Sequence, residues 1–275
     1  MLVLYISDNT YKHRYEIKVM NKGTLRTIGS RILSLVIIVS VMSVVGCKKP
    51  EKYITIDEST FPDKNFRQCV EQISGSGRSE GKVSESRLAE IDWIRLQGVK
   101  DLTGLEYLTG IRTIEFIGCS FSEVSFSGNP TLRVIDFDDH CDVKKIDVSG
   151  NSELEELYCR DVGLEELILP EGDKLKNVYC SDNNLSTIDV TGCRGLKELS
   201  ISENLLKELD VSNCFELDYL ICHGNDLTEL DITYCPKLVS LAKRKSEEDA
   251  TINSFVHFQN GYHWLEYDVG VELIW

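Results

Sequence analysis

Cysteine is the residue type in this sequence whose number and spacing could support chemistry. The chain has ten cysteines, and six of them fall into two columns that repeat with a period of 21: Cys159, Cys180 and Cys222, and Cys193, Cys214 and Cys235. Paired thiols could form disulfides, bind a metal or carry out redox reactions. In-register strands lie about 4.7 to 4.9 Å apart, whereas the Cβ atoms of a disulfide lie about 3.8 Å apart. We therefore predict buried free thiols that act as small apolar spacers.

Metal binding and catalysis have less support in the sequence. There is no Cys-x-x-Cys pair, and the one local cluster of ligand types is His140 and Cys141 between Asp139 and Asp142. No Ser/His/Asp arrangement, H-E-x-x-H motif, phosphate-binding glycine loop or paired carboxylate set stands out. We predict no metal, no cofactor and no enzymatic activity.

An internal repeat must position these residues. Leucine occupies five positions at an unbroken spacing of 21, namely Leu154, Leu175, Leu196, Leu217 and Leu238. A second apolar column runs in step with the first, through Leu157, Val178, Leu199, Leu220 and Leu241. A fixed period of this length predicts a stacked solenoid, because no single unit can bury its apolar face without a neighbour.

The unit written from Leu196 is LKELSISENLLKELDVSNCFE. Its Leu196, Leu199 and Ile201 alternate with polar residues, which is typical of a short strand. Asn204 follows where the chain turns, and its amide can satisfy backbone groups that have no ladder partner. The remainder is too short for a full helix, so we predict a second extended segment joined by tight turns.

The pattern L-x-x-L-x-C-x-x-N-x-L-x-x-L-D-V-S resembles the bacterial leucine-rich repeats of the internalin group, in their cysteine-bearing internalin J-like form. Residues 99–243 carry the resemblance, and LTGLEYLTGIRTIEF from Leu102 resembles the 22-residue internalin unit. The resemblance implies a leucine-rich repeat solenoid with a short parallel β-sheet, an extended convex side and little helix. It also implies a surface protein that binds partners through its strand face.

Both ends of the solenoid are predicted to carry caps. Residues 55–98 read as a helical N-terminal cap, in which Phe61-Pro62-Asp63 starts a helix with proline in the first turn. Ser76 to Arg87 resembles an EF-hand loop that has lost the carboxylates needed for calcium. Residues 244–275 read as a C-terminal cap, with a hairpin that turns at Asn260-Gly261 and a last segment from Val271 to Trp275.

The N-terminal segment indicates export. An apolar run over residues 32–45 follows Lys22, Arg26 and Arg31, as in a secretory signal, and its end at Cys47 resembles a bacterial lipobox. The resemblance implies cleavage after residue 46, lipid on Cys47 and a short tether over residues 47–54. Met20 is an alternative start, and an uncleaved membrane anchor is an alternative interpretation.

The charge of the chain bears on its partners. Removal of residues 1–46, which hold six Lys/Arg and two Asp/Glu, changes the formal charge from -15 to -19. An acidic surface of this size argues against nucleic acid as a partner.

Outward residues of the predicted strands form the candidate binding surface. Aromatic side chains and arginine concentrate binding energy, and the candidates are Tyr158, Arg160, Tyr179, Tyr219, Ile221 and His223. An open alternative is that adjacent tyrosines only stabilise the strands and that His223 is an ordinary surface imidazole.

The sequence thus predicts a lipid-anchored protein of the bacterial cell surface. Its strand face would bind protein or glycan partners, and lipid on Cys47 would hold it to the membrane. Two alternatives remain: a structural scaffold that binds the producer's own envelope components, and a surface enzyme.

Overall fold

A computed structural model describes residues 5–7, 16–18, 51–75, 81–138, 140–245, 251–252, 255–260 and 263–275. The chain divides into two compact units, Met1–Pro50 and Glu51–Trp275. In the first unit, β1 (Tyr5–Ser7) pairs with β2 (Glu16–Lys18) in antiparallel fashion. The apolar run, Met20 and Cys47 lie outside the described residues. Among the residues that are described, no helix has the length and apolarity to cross a membrane.

The second unit is built on a ten-stranded sheet. Seven parallel strands follow one another along the chain: β5 (Trp93–Gln97), β6 (Thr113–Ile117), β8 (Val134–Phe137), β10 (Glu156–Tyr158), β12 (Asn177–Tyr179), β13 (Glu198–Ser200) and β14 (Tyr219–Ile221). Within the last four strands, the central residue is fully buried and its two neighbours are half-buried on the opposite face. The predicted short parallel sheet is confirmed.

The opposite side of each coil is extended and carries only short sheets. Three parallel strands form one of them, β7 (Ser120–Ser125), β9 (Asp142–Asp147) and β11 (Glu166–Ile168). Another pairs β15 (Glu229–Asp231) with β19 (Glu272–Ile274). Among the residues that the structure describes, helix is confined to α1 (Lys64–Ser74), α2 (Glu85–Leu88), α3 (Pro236–Lys245) and a 3₁₀ turn at Leu105–Tyr107. The predicted extended convex side with little helix is confirmed.

The types of side chain that form the core change along the solenoid. In the first coils it is aromatic, since Phe116 stacks on Phe137 with ring centroids 4.5 Å apart and Phe121 packs edge-on against Phe116. In the later coils cysteine takes this place, and Cys159 and Cys180 have no exposed surface. All nine cysteines in the described part of the chain are free thiols, which confirms the predicted cysteine ladder.

The second cysteine column lies under the turns of the convex side. Burial raises the pKa of Cys193, Cys214 and Cys235 to about 12. A thiol with so high a pKa is not a nucleophile at neutral pH. These residues are therefore spacers rather than reactive groups.

The N-terminal cap is helical, as predicted, but its helix begins later. Asp63 is the N-cap residue, since its Oδ1 accepts hydrogen bonds from the backbone N–H groups of Asn65 at 2.8 Å and Phe66 at 3.0 Å. Pro62 therefore precedes the helix instead of lying in its first turn. The other carboxylate oxygen of Asp63 accepts the Lys100 N–H at 2.9 Å, which ties the helix to the first coil.

The segment that resembles an EF-hand loop is partly described. Residues 76–80 lie outside the described residues, and the remainder forms β4 (Lys82–Ser84) and α2. Strand β4 pairs with β3 (Tyr53–Thr55) in antiparallel fashion. The pair holds the start of the cap against its second helix.

The C-terminal end departs from the predicted repeat. Leu238 and Leu241 lie on α3 rather than on a further strand. Proline at position 236 suits the first turn of a helix, and a spacing of three residues puts Leu238, Leu241 and Ala242 on one buried face. The prediction that the inward strand column continues through Leu241 was therefore wrong. The pattern L-x-x-L misled it, because this spacing fits one face of a helix as well as the repeat.

The predicted hairpin is present, but its first strand extends one residue further than predicted. Strands β17 (Phe255–Asn260) and β18 (His263–Asp268) pair in antiparallel fashion with Asn260 opposite His263. Asn260 is therefore the last strand residue rather than part of the turn. Strand β16 (Thr251–Ile252) completes the sheet beyond β17, whereas β18 joins β14 in parallel register. The hairpin thus covers the edge that the last coil would otherwise expose.

Candidate functional site

Tyr158 and Tyr179 form a stacked pair on the concave face of the sheet. They occupy opposite positions in β10 and β12, with ring centroids 5.0 Å apart and planes inclined by 11°. The Tyr158 hydroxyl donates to Glu156, and the Tyr179 hydroxyl donates to Glu198. Partial burial, followed by these hydrogen bonds to carboxylates, raises the pKa of both phenols above the ordinary value. Both rings are therefore held in place as neutral donors.

A cavity of about 390 Å³ opens beside this pair, toward the C-terminal end of the face. Five of the six predicted binding residues line it: Arg160, Tyr179, Tyr219, Ile221 and His223. Tyr158 does not line it and lies one strand away, stacked on Tyr179. The structure thus brings together residues that the sequence predicts on three separate coils.

Charged groups surround the cavity. The Arg160 side chain is 73% exposed, and its Nε lies 2.8 Å from Oδ2 of Asp182. His223 lies between two carboxylates, with Nδ1 3.6 Å from Glu203 Oε1 and Nε2 3.5 Å from Glu266 Oε2. The Glu266 side chain is only 9% exposed. The cavity therefore has an ion pair and the 58% exposed Glu203 side chain at its rim, and the nearly buried Glu266 deeper in.

Three serines provide polar groups between the aromatic residues. The Ser181 and Ser200 hydroxyl oxygens are 2.8 Å apart, and the Ser202 hydroxyl donates to Ser181 at 3.0 Å. A hydroxyl is both donor and acceptor. The cavity can therefore offer hydrogen bonds as well as ring faces to a ligand.

The sequence interpretation missed the contribution of the C-terminal hairpin. In β18, Trp264 lies opposite Tyr219 and Glu266 lies opposite Ile221. The Trp264 and Tyr219 ring centroids are 6.0 Å apart. The alternation of HWLEYD, with Leu265 and Tyr267 buried, indicates a strand with one face outward. That signal could have placed Trp264 and Glu266 on the binding face.

The sequence interpretation also missed Asp182 and Glu203. They occupy one repeat position with Asp161, and all three have a left-handed backbone with φ between 52° and 59°. Gly224 occupies the same position in the next coil, with φ of 70°. The Glu203 N–H donates to the His223 carbonyl oxygen at 2.8 Å, so the ladder continues through this turn. The turn directs the two acidic side chains toward the cavity.

At the N-terminal end of the concave face, the carboxylate of Glu115 is paired within the sheet. Glu115 accepts hydrogen bonds from Trp93 Nε1 at 2.9 Å and Arg95 Nε at 2.7 Å. The Trp93 hydrogen bond is the main cause of the lowered pKa of Glu115. The Arg95 guanidinium also lies 5.5 Å from the Trp93 ring centre.

The cluster around His140 and Cys141 is loosely arranged. His140 is 78% exposed, with Nδ1 3.6 Å from Asp138 Oδ2, and Cys141 Sγ lies 3.4 Å from Asp138 Oδ1. The Cys119 N–H donates to Cys141 Sγ at 3.4 Å, and a side-chain hydrogen bond with Cys141 lowers the pKa of the Cys119 thiol. Asp139 lies outside the described residues. Within the described ranges, no group of three ligand side chains could hold a metal ion.

The strand register decides the architecture. From β10 to β14, residues 21 apart in the sequence lie opposite one another in parallel strands. The fold is a leucine-rich repeat solenoid.

Similar leucine-rich repeat structures come from Listeria monocytogenes. The functional domain of InlJ, described as including a cysteine ladder, is 20% identical with a TM-score of 0.35, and the match covers 68% of this chain and 51% of that one. Internalin C2 is 18% identical with a TM-score of 0.49, covering 67% and 83%. The internalin-like protein lmo2027 is 16% identical with a TM-score of 0.49, covering 66% and 64%. The chain thus spans about half the length of the InlJ domain. No family model and no curated protein matches the chain.

Proposed function

We propose that this protein is a lipid-anchored binding protein of the bacterial cell surface, which holds a protein or glycan partner on the concave strand face. The observation that supports binding is the cavity between the Tyr158–Tyr179 pair and the C-terminal hairpin. It combines ring faces, hydroxyl groups and charged side chains, the mixture found in ligand sites. The formal charge of -15 opposes a nucleic acid partner.

The binding role is tested with the full chain in mild detergent on arrays of proteins and glycans. A variant with Tyr158, Tyr179 and Tyr219 changed to alanine is expected to bind at least about tenfold more weakly, because buried aromatic anchors each contribute about 2 kcal/mol. Tyr234→Ala is the matched control, since Tyr234 is exposed and follows β15 on the convex side. Equal binding by the triple variant and the original chain would contradict a concave site. Capture of only the producer's envelope components would favour the scaffold role.

The anchor is tested at Cys47. Two acyl chains give durable membrane attachment, whereas one gives only marginal binding. Cys47→Ser is therefore expected to abolish incorporation of labelled fatty acid and to release the protein from membranes, with Cys69→Ser as the control. Labelling that persists in the Cys47 variant would refute the lipid anchor.

A further inference from the structure

We propose that the cavity on the concave face holds a neutral pyranose ring of a glycan, stacked on the outer face of Tyr179 and lying over Ser200. This inference rests on the proposed function and specifies the ligand class of the same site. Three features of the cavity favour a glycan over a protein partner: its width, its aromatic wall and its hydroxyl floor.

The cavity lies where a small residue interrupts a column of large ones. Tyr158, Tyr179, Ser200 and Ile221 follow one another in an outward column, since each lies opposite the next in the sheet. Neighbouring strands are about 4.8 Å apart, so Tyr179 and Ile221 are separated by about 10 Å along this column. The short side chain of Ser200 leaves the space between them open. One flat ring fits this gap, because nonbonded carbon atoms approach to about 4 Å.

Tyr179 forms a fixed wall of the gap. Tyr158 stacks on one face of its ring, with the planes inclined by 11°, so the opposite face is directed toward Ser200. The hydrogen bond from the Tyr179 hydroxyl to Glu198 restrains the ring. A ligand ring over Ser200 would therefore continue the stack that the two tyrosines begin. The C–H groups on one face of a pyranose are weakly positive and suit the negative face of an aromatic ring.

Hydroxyl groups form the floor of the gap. Ser181, Ser200 and Ser202 all line the cavity and share two hydrogen bonds, at 2.8 and 3.0 Å. Three hydroxyl groups carry three protons, so one donor remains whichever of Ser181 and Ser200 donates to the other. Ser181 and Ser202 are only 6% and 7% exposed. A ligand that covers this floor must therefore offer an acceptor, because a buried donor without a partner is costly.

A pyranose satisfies both the wall and the floor. An aromatic side chain of a protein partner would stack on Tyr179 equally well, but its ring edge carries C–H groups and would leave the serine donor without a partner. A pyranose has an apolar face and hydroxyl groups around its edge, each of which is both donor and acceptor. At the rim, the ion pair of Arg160 and Asp182 offers donors and acceptors to further sugar hydroxyl groups.

The test uses the full chain in a mild detergent that has no sugar headgroup. Ligand-observed NMR titrations compare the methyl pyranosides of glucose, galactose, mannose and N-acetylglucosamine. At least one is expected to bind with a Kd on the order of 1 mM, as its size predicts. Saturation transfer should be strongest at the ring C–H protons of one face, which would contact Tyr179. Added salt should leave binding unchanged, because the ligand is neutral.

An aromatic probe distinguishes the sugar from a protein side chain. N-acetyl-phenylalanine methylamide can stack on Tyr179 but offers no hydroxyl group at its ring edge. It is expected to bind at least about tenfold more weakly than the best pyranoside, because the serine donor loses its partner.

Variants localise the effect. Ser200→Leu fills the gap and is expected to weaken the best pyranoside at least about tenfold, while the fold is kept because Ser200 lies on the outward face of β13. Tyr179→Leu removes the ring face, keeps an apolar side chain and should weaken binding to a similar extent. Ser125→Leu is the matched control, since Ser125 is exposed at the end of β7 on the convex side.

Three outcomes would overturn the inference: no binding of any pyranoside, equal binding of the phenylalanine probe, or full binding by Ser200→Leu. The proposed function fails on different evidence, since the array partner would then bind the triple tyrosine variant as well as the original chain. A protein partner that is lost with the tyrosines, while none of the pyranosides binds, would keep the function and refute the sugar.

Discussion

Replacing Asn204 with alanine is expected to lower the free energy of unfolding by about 3 to 5 kcal/mol, because it leaves several buried backbone groups without partners. The Asn204 side chain is buried in the turn after β13. Its Nδ2 donates to the carbonyl oxygens of Cys180 at 3.0 Å, Ser202 at 3.1 Å and Ile201 at 3.3 Å. Its Oδ1 accepts the Leu185 N–H at 3.0 Å. One amide thus joins two successive coils.

Asn184→Ala is the matched control, since Asn184 has the same side chain and is exposed in the adjoining coil. Urea denaturation followed by circular dichroism measures both variants. The control should stay within about 0.5 kcal/mol of the original chain. Similar midpoints for the two variants would show that the buried Asn204 amide adds no more to stability than a surface asparagine does.

Leu265→Asp is expected to release the C-terminal hairpin from the solenoid. Leu265 is fully buried in β18, where it lies opposite Leu220 of β14. A carboxylate placed there without a partner costs about 3 to 5 kcal/mol, which is comparable to the stability of a small docked element. Loss of the hairpin would uncover the edge of β14, and exposed edges pair with other chains.

Hydrogen exchange and light scattering measure this release. The Cys222 N–H donates to the Glu266 carbonyl oxygen at 2.9 Å, so its amide proton should exchange faster once β18 leaves. Light scattering should show that the Leu265→Asp chains associate with one another, and that this association increases with protein concentration. Val269→Asp is the control, because Val269 is 57% exposed just after β18. Unchanged exchange at Cys222 in the Leu265 variant would mean that the hairpin does not depend on this contact.

The repeating part of the fold was predictable because each coil buries its apolar residues at the same positions of the repeat. A fixed spacing of 21 places Leu157, Val178 and Leu199 on one inward column, and strand alternation then turns their neighbours outward. Tyr158 and Tyr179 follow from that alternation alone. The concave candidates could therefore be named before any contact was known.

The remainder was not predictable because it lies where repetition ends. The pattern L-x-x-L at Leu238 and Leu241 fits a helix as well as a coil, and Pro236 favours the helix. Nothing in the period indicates that β18 joins the sheet in parallel beside β14. The contribution of Glu266 to the cavity therefore became visible only with the pairing of strands whose partner residues are 45 apart in the sequence.

Strand β18 covers the last coil and forms one wall of the cavity, so the two roles share a single equilibrium. A ligand that touches Glu266 binds only when the hairpin is docked, and at about 100 times its dissociation constant it would favour docking by about 2.7 kcal/mol. Stacked repeats open first at their ends, where each unit has one neighbour instead of two. The fraction of cavities that hold ligand would thus determine how often this end of the solenoid opens. It would thereby also determine how fast a protease could cleave the chain there.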